Sequence, residues 1–173
     1  SFSYPINSLE ELRLAISHYV LIASEKLRKY NLLSSEITIF MNSSLYSKRV
    51  FSKNATAKLE MPSNNSVTML RESLILTKKI FKPYQKLTKA GIIMHKLQSA
   101  KFQQKSLFKS NELKGDLKLE YLNKIVDSIN IKYGHNTLNW ASSVIKKDWS
   151  PRRRKLSHFT TTSLESIPIV FCK

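Results

Sequence analysis

The sequence has few of the residues on which many recognisable sites depend. Its 173 residues include one cysteine, Cys172, three glycines and five prolines. A single cysteine excludes an intrachain disulfide framework and a cysteine-based zinc site, and it fits a reducing cytoplasm. None of the glycine-rich loops that cradle phosphates or dinucleotides is present. The chain also lacks a run of 18 apolar residues and a signal-peptide pattern, so we expect neither a membrane span nor secretion.

Acidic residues are also scarce, at 12 Asp and Glu against 29 Lys and Arg, which gives a net charge of +17. Residues 1–100 carry 15 basic and 6 acidic side chains, and residues 101–173 carry 14 and 6. This balance favours a polyanionic partner, usually nucleic acid, although a membrane surface or plain solubility is an alternative. The carboxylates are scattered and the four histidines lack metal-ligand spacing, so we predict no metal site and no catalytic site in this chain.

The first hundred residues alternate between strand and helix patterns. SFSYPI is a candidate opening strand, and the capping-box spacing at Ser8 predicts a helix that ends near Tyr30. EITIFMN and ATAKLEM alternate as strands do, a second helix is expected between Pro62 and Pro83, and LTKAGIIMHKLQS reads as the last strand. The order predicts an α+β, ferredoxin-like βαββαβ domain, with a four-stranded antiparallel sheet and two helices on one face.

The other face of the predicted sheet is open and basic. On the predicted register it carries Thr38, Phe40, Lys58, Lys89 and His95. Lys48, Arg49 and Lys53, which we place in the adjoining loop, and Lys96 extend it. We predict a nucleic-acid surface that contacts mainly the phosphate backbone. A solvated sheet face with incidental lysines is one alternative. RNA binding is another, although it needs exposed aromatic side chains on the central strands and the sequence offers only Phe40.

A polar stretch over residues 101–115 contains an isolated apolar pair, Leu107 and Phe108. No helix or strand period carries this pair into a core. After Gly115 a new helical pattern begins, formed by Leu119, Leu122, Ile125, Val126 and Ile129. The pair either packs as a small local core or belongs to a linear peptide whose glutamine is hydrogen-bonded and whose Leu-Phe pair fills a partner's apolar pocket. The candidate peptide residues are Gln104, Lys105, Ser106, Leu107 and Phe108.

This peptide resembles the bacterial sliding-clamp-binding pentapeptide, with Lys105 at the position where leucine is usual. Its place after a βαββαβ domain resembles the little finger of Y-family translesion DNA polymerases. The downstream series resembles the C-terminal region of the UmuC group of that family. The series comprises Asp127-Ser-Ile-Asn130, Tyr133-Gly134, Thr137-Leu138, Trp149, Leu156-Ser157, Thr161-Thr162 and Ile167-Pro168. It departs from the group at Phe159, Ser163 and Leu164.

The resemblance implies the non-catalytic part of an error-prone polymerase that acts in SOS translesion synthesis, as the catalytic subunit of DNA polymerase V does. It divides the chain into a DNA-gripping little finger (1–100), a linker with the clamp peptide (101–115) and a small helical or irregular module (116–173). The Mg²⁺-binding carboxylates would lie in a palm domain upstream, so no cofactor is expected here. Implied partners are primer–template DNA, the bacterial β sliding clamp, the processed UmuD dimer and the RecA filament, in the bacterial cytoplasm at the nucleoid.

A second basic run, Arg152, Arg153, Arg154 and Lys155, follows Trp149. Charge runs of this kind are often solvated tails, and the alternative is a second patch that faces DNA or RecA. Two other functions compete with the polymerase hypothesis for the chain as a whole. One is a protein-interaction adaptor whose basic charge serves an acidic partner, and the other is an RNA-binding ferredoxin-like domain. Affinity for duplex DNA as a function of salt separates the first of these from DNA binding.

Overall fold

The computed structural model describes residues 1–44, 46, 50–102, 112–134, 137–143 and 149–150, and only the backbone at 102 and 112–117. The elements, in chain order, are helix α1 (Leu9–Lys29), strands β1 (Leu32–Ser43) and β2 (Ser52–Ser63), helix α2 (Ser66–Ile80), strand β3 (Leu87–Ser99) and helix α3 (Glu112–Tyr133). Short 3-10 helices cover Ala100–Phe102 and Ala141–Ser143. The prediction of an α+β chain is confirmed.

Local signals in the sequence set the helix starts. The Ser8 hydroxyl accepts a hydrogen bond from the Glu10 amide at 3.2 Å, and Asn65 caps α2 by accepting from the Val67 amide at 2.9 Å. Side-chain acceptors of this kind satisfy amides that have no partner within the helix. Acidic residues in the first turn of α1 and basic residues in its last turn suit the helix dipole. The predicted helix start at Ser8 is therefore confirmed.

The prediction of four strands is not confirmed. Within the described residues the sheet has three antiparallel strands in the order β2-β1-β3. In place of a fourth strand, Ile6 forms one isolated bridge with Leu87, in which each residue donates to the other at 2.8 Å. The chain leaves the strand direction just before this bridge, because Ser3 and Tyr4 lie in a bend and the Ser3 amide donates to the Trp149 carbonyl at 2.9 Å.

The strand order also differs from that of a ferredoxin-like sheet. There the strand before the first helix lies in the centre, whereas here the Ile6 segment lies beside β3 at the outer edge and β1 is central. The side chains explain why β1 takes this position. Ile37, Ile39 and Met41 are all fully buried, so β1 contributes the most apolar row of the sheet. A row of this kind is best shielded between two other strands and beneath the helices.

Helices α1 and α2 cover one face of the sheet and form the core with it. Leu12, Ile16 and Val20 of α1 are fully buried. In α2 the buried face includes Met69, Leu70, Leu76 and Ile80. Small residues line the contact between the helices. The Ser24 hydroxyl lies 2.8 Å from the Val20 carbonyl oxygen and 3.2 Å from the Met69 sulfur, which lets the helices pack closely.

The region after residue 111 packs on the helical layer. Arg28 of α1 donates to both carboxylate oxygens of Asp127 in α3, at 2.5 and 2.8 Å. Trp149 is buried against Phe2, His18 and Tyr19, with ring centroids 5.5 to 6.1 Å apart. Both contacts lie on the side of the sheet that carries the helices. The described part of this region therefore leaves the opposite face of the sheet uncovered.

Candidate nucleic-acid interface

The register of the sheet decides which side chains share its uncovered face. Directly opposed residues of antiparallel strands lie on the same face. The rows that share the uncovered face are Glu36 with Lys58 and His95, Thr38 with Thr56 and Ile93, Phe40 with Asn54 and Gly91, and Asn42 with Ser52 and Lys89. We call this set the open face. It contains Thr38, Phe40, Lys58, Lys89 and His95, so the structure brings these predicted residues together.

The remaining predicted residues of the platform do not all share this face. Lys53 lies within β2 opposite the buried Met41, on the side of the sheet that the helices cover, so it is a strand residue of the wrong face and not part of a loop. Lys96 lies in β3 with a positive φ of 49° and contacts Glu36 on the open face. Lys48 and Arg49 lie outside the described residues.

Thr38 links all three strands across the open face. Its hydroxyl lies 2.7 Å from the hydroxyl of Thr56 in β2 and 2.9 Å from Nε2 of His95 in β3. A hydroxyl donates and accepts, so it can serve both neighbours at once. Because Thr38 itself is buried, its part in the site is to hold the His95 ring in one orientation. The prediction that Thr38 belongs to this face is right, but the side chain supports its neighbours and offers little contact surface.

Glu36 is a member of the open face that the sequence pattern did not identify. Its carboxylate accepts from the Lys96 ammonium at 2.5 Å. This hydrogen bond lowers the pKa of Glu36, and the charges of Lys96, His95 and Lys58 lower it further, whereas partial desolvation opposes them. The available signal was the alternation of β1, because Glu36 lies two residues before Thr38, and the pairing register then sets it between Lys58 and His95. One carboxylate therefore lies within the basic face and holds one of its lysines.

We expect the Glu36 carboxylate to titrate below its ordinary pKa, and the Lys96→Gln variant to raise this pKa toward the ordinary value. A depressed pKa stabilises the folded chain above the unfolded-state pKa, and this contribution is lost as the pH falls through the folded-state pKa. Carbon-detected NMR of the side-chain carboxylate against pH measures both midpoints. An unchanged Glu36 midpoint in the variant would contradict the assignment of Lys96 as its main partner.

Phe40 lies flat across the sheet. A Cβ added at Gly91 would lie 2.6 Å from Cζ and 2.8 Å from Cε1 of the Phe40 ring, so the ring covers Gly91 directly. The side chain is consequently half-buried although it belongs to the open face. This contact uses one face of the Phe40 ring and packs β1 on β3.

Two other predicted sites lie outside the described residues. They are the peptide formed by Gln104, Lys105, Ser106, Leu107 and Phe108, and the basic run formed by Arg152, Arg153, Arg154 and Lys155. Within the described part of the chain, no three His, Cys, Asp or Glu side chains lie close enough together to hold a metal ion. None of the helices in the same part is long and apolar enough to cross a membrane.

The C-terminal sequence motifs have structural roles where they are described. Asn130 accepts from the Leu138 amide at 2.8 Å and donates to the Leu138 carbonyl at 3.0 Å, which turns the chain back at the end of α3. The Thr137 hydroxyl donates to the Gly134 carbonyl at 2.8 Å, and Gly134 adopts a φ of +105° that favours glycine. Together with the Arg28 contact to Asp127, these bonds fix α3 and the turn that follows it.

Comparison with known proteins assigns the family. Residues 1–107 match the impB/mucB/samB family C-terminal domain. The chain belongs to the impB/mucB/samB family. Residues 120–170 of this family member also match a domain of unknown function, DUF4113. The assignment agrees with the resemblance inferred from the sequence motifs, which is confirmed at this level.

The impB/mucB/samB relatives extend beyond this chain. Over its full length it is 30% identical to protein MucB of Salmonella typhimurium and to protein MucB of Escherichia coli, and it covers 41% and 40% of them. It is 27% identical to protein UmuC of Salmonella typhimurium over 165 residues, which are 94% of the chain and 38% of UmuC. The chain thus spans about two fifths of the length of these relatives.

Proposed function

We propose that this chain is the DNA-gripping and clamp-tethering part of a UmuC-like, error-prone Y-family DNA polymerase that copies past damaged DNA in the SOS response. The observation that carries the proposal is the open basic sheet face in a member of the impB/mucB/samB family. On this proposal residues 1–100 are a little finger domain. The parent protein would be a DNA-directed DNA polymerase whose palm domain supplies the metal-binding carboxylates and Mg²⁺.

The spacing of the open face suits the phosphates of a duplex. Lys58 of β2 and Lys89 of β3 lie on the two strands that flank β1. Two strand spacings separate them by about 10 Å across the sheet, and the six residue steps of β1 from Glu36 to Asn42 separate them by about 20 Å along it. The two lysines therefore lie at diagonal ends of the open face, where they can contact separate phosphates of one duplex. The exposed side chains of Asn54 and Thr56 add neutral donors between them.

The composition of the open face favours DNA backbone contact over the RNA-binding alternative. Sheet surfaces that read single-stranded RNA stack several bases on aromatic rings of the central strands. The rows of the open face contain one phenylalanine, Phe40, and no tyrosine or tryptophan. The open face therefore offers charges and polar groups, which position a nucleic-acid backbone without reading its sequence.

The clamp-tethering part of the proposal rests on the sequence of residues 104–108. This peptide follows β3 within a few residues, so a clamp bound there would lie near one end of the sheet. A tether of this kind raises the effective concentration of the polymerase at primer ends. The family match over 1–107 and the DUF4113 match over 120–170 support a division at the linker 101–115, with the module 116–173 after it. We also propose that the processed UmuD dimer and the RecA filament are partners. The basic run from Arg152 to Lys155 would then contact DNA or RecA.

We expect the Lys58→Gln, Lys89→Gln double variant to bind a duplex primer–template about tenfold more weakly per lysine near 0.1 M salt. The plot of log affinity against log salt should flatten by about 1.8, because each phosphate neutralised by a lysine contributes a slope of about 0.9. Fluorescence anisotropy with a labelled primer–template over about 50 to 200 mM salt measures both quantities.

Two variants control for net charge. Lys79→Gln removes the same kind of charge from an exposed position in α2, on the helical layer, and should leave the slope unchanged. Glu36→Gln should strengthen binding and steepen the slope, because it releases Lys96 and removes a carboxylate from the open face. If Lys79→Gln weakens binding as much as a substitution of Lys58 or Lys89 does, the affinity for DNA depends on net charge and not on the open face. An affinity for single-stranded RNA that exceeds the affinity for the duplex primer–template would favour the RNA-binding alternative. A salt dependence of binding to an acidic protein that equals the salt dependence with duplex DNA would favour the adaptor.

A further inference from the structure

Helix α3 docks on the rest of the chain with its polar side. Asp127 receives the two hydrogen bonds from Arg28, and Asn123 is almost completely buried, with its Nδ2 3.4 Å from Oδ1 of Asn65. A surface helix normally buries its apolar stripe and exposes its polar residues. In α3 an ion pair and amides make the described docking contacts.

Several apolar residues of α3 remain at the surface, whereas Leu119 and Val126, on the same side of the helix as Asn123, are half-buried. Leu122, Ile125, Ile129 and Tyr133 recur at steps of three and four residues and form one side of the helix, which we call the α3 stripe. Leu122 is 42% exposed, Ile125 39% and Tyr133 66%. Leu138, held beside the helix end by Asn130, is also 43% exposed. Contiguous exposed apolar surface commonly marks an interaction site.

The charges beside the α3 stripe are positive. Lys118 precedes the stripe by one turn, and Lys132 lies over the ring of Tyr133 at 5.2 Å from its centroid. Among the described side chains of α3, both carboxylates are engaged elsewhere, Glu120 with Lys124 at 2.8 Å and Asp127 with Arg28. A second copy of the chain would bring lysine against lysine. Nucleic acid would leave the apolar side chains without a complementary surface.

We propose that the α3 stripe is a docking surface for another protein that presents an apolar groove with an acidic rim. An amphipathic helix binds such a groove through apolar anchors at three- and four-residue steps, and the lysines complement the rim. Glu120 and Asn123, which line a hollow together with Lys58 of the open face, lie on a different side of α3 from the stripe. The inference therefore does not depend on the proposed DNA contact.

The isolated C-terminal lobe of calcium-loaded calmodulin provides a probe of this chemistry, because calcium opens a methionine-rich apolar groove in an acidic protein. Calorimetric titration of the full 173-residue chain with this lobe should show binding that a calcium chelator removes. Leu122→Ser and Ile125→Ser should each weaken it about tenfold, which is the loss expected for a central anchor. Lys118→Gln with Lys132→Gln should weaken it at low salt only.

Ile131→Ser is the matched control, since Ile131 is on the same helix, is 77% exposed and lies outside the stripe. It should bind the lobe as the wild type does. No binding of the lobe, equal losses for Ile131→Ser and Ile125→Ser, or wild-type binding by both stripe variants would overturn the proposal. Dimerisation of the chain that Ile125→Ser abolishes would also overturn the proposal and would make a second copy of the chain the occupant of the stripe. Protection of the stripe by duplex DNA would overturn it in favour of nucleic acid.

Discussion

Replacing Leu107 and Phe108 together by alanine is expected to abolish binding of the chain to a bacterial β sliding clamp. The wild type should bind in the micromolar range, which is typical of a short peptide in an apolar pocket. Each of two central anchors commonly contributes about 2 kcal/mol or more, so the double variant should bind at least about a hundredfold more weakly. Isothermal titration calorimetry with purified clamp measures both affinities.

The clamp experiment has a gain-of-function control in the same peptide. Lys105 occupies the position where the resembled pentapeptide has leucine, so Lys105→Leu should strengthen binding. Thermal unfolding of the double variant tests the alternative of a small local core, since removing two large apolar side chains from a core lowers the melting temperature. A double variant that binds the clamp as well as the wild type, or that melts at a clearly lower temperature, would count against the linear-peptide hypothesis.

The open face was predictable from the sequence because alternation along a strand determines which side chains lie on each face of the sheet. Ile37, Ile39 and Met41 must face the helices, which turns Thr38 and Phe40 outward. The same rule in β3 turns Lys89 and His95 outward. Since the side-chain period of a strand is two, one apolar row fixes the opposite row without knowledge of the partner strands.

The parts of the face that escaped prediction depend on pairing between strands. The identification of Glu36 as a neighbour of Lys58 and His95 requires the register of β1 with both β2 and β3. The position of Lys53 requires knowing that β2 begins at Ser52, which extends the strand into a polar stretch. The missing fourth strand has a related cause, because Ile6 pairs with Leu87 while the Ser3 amide bonds to the carbonyl of Trp149, a partner distant in sequence.

Helix α3 shows a different limit of sequence reasoning. The periodicity of Leu119, Leu122, Ile125, Val126 and Ile129 predicts the helix correctly, but it carries no information on the polar contacts that hold the helix in place. These contacts are made by Asn123 and Asp127. The decisive partner, Arg28, is 99 residues away in sequence from Asp127 and carries no local signal. Long-range ion pairs of this kind can be located only after the helices have been placed.

Asp127→Ala is expected to produce the largest loss of stability among surface substitutions in α3. Arg28 is 12% and Asp127 20% exposed, and removing the carboxylate leaves a nearly buried guanidinium without its charged partner. Loss of one partner from a buried pair costs about 3 to 5 kcal/mol, and the residual exposure of this pair reduces the expected cost to about 2 to 3 kcal/mol. Urea unfolding measures the change in the free energy of unfolding. Hydrogen exchange of the α3 amides tests whether the helix opens before the sheet does.

A double-mutant cycle separates the pair from its surroundings. Arg28 also donates to the Asn64 carbonyl and the Ser66 hydroxyl, both at 2.9 Å, so Arg28→Ala should cost more than Asp127→Ala. The double variant should cost less than the two single costs together, by about 1 to 3 kcal/mol, because no charge is left unpaired. Glu120→Ala breaks the exposed pair with Lys124, at 54% and 68% exposure, and should cost less than about 0.5 kcal/mol. If Asp127→Ala costs no more than Glu120→Ala, the anchor of α3 must lie elsewhere.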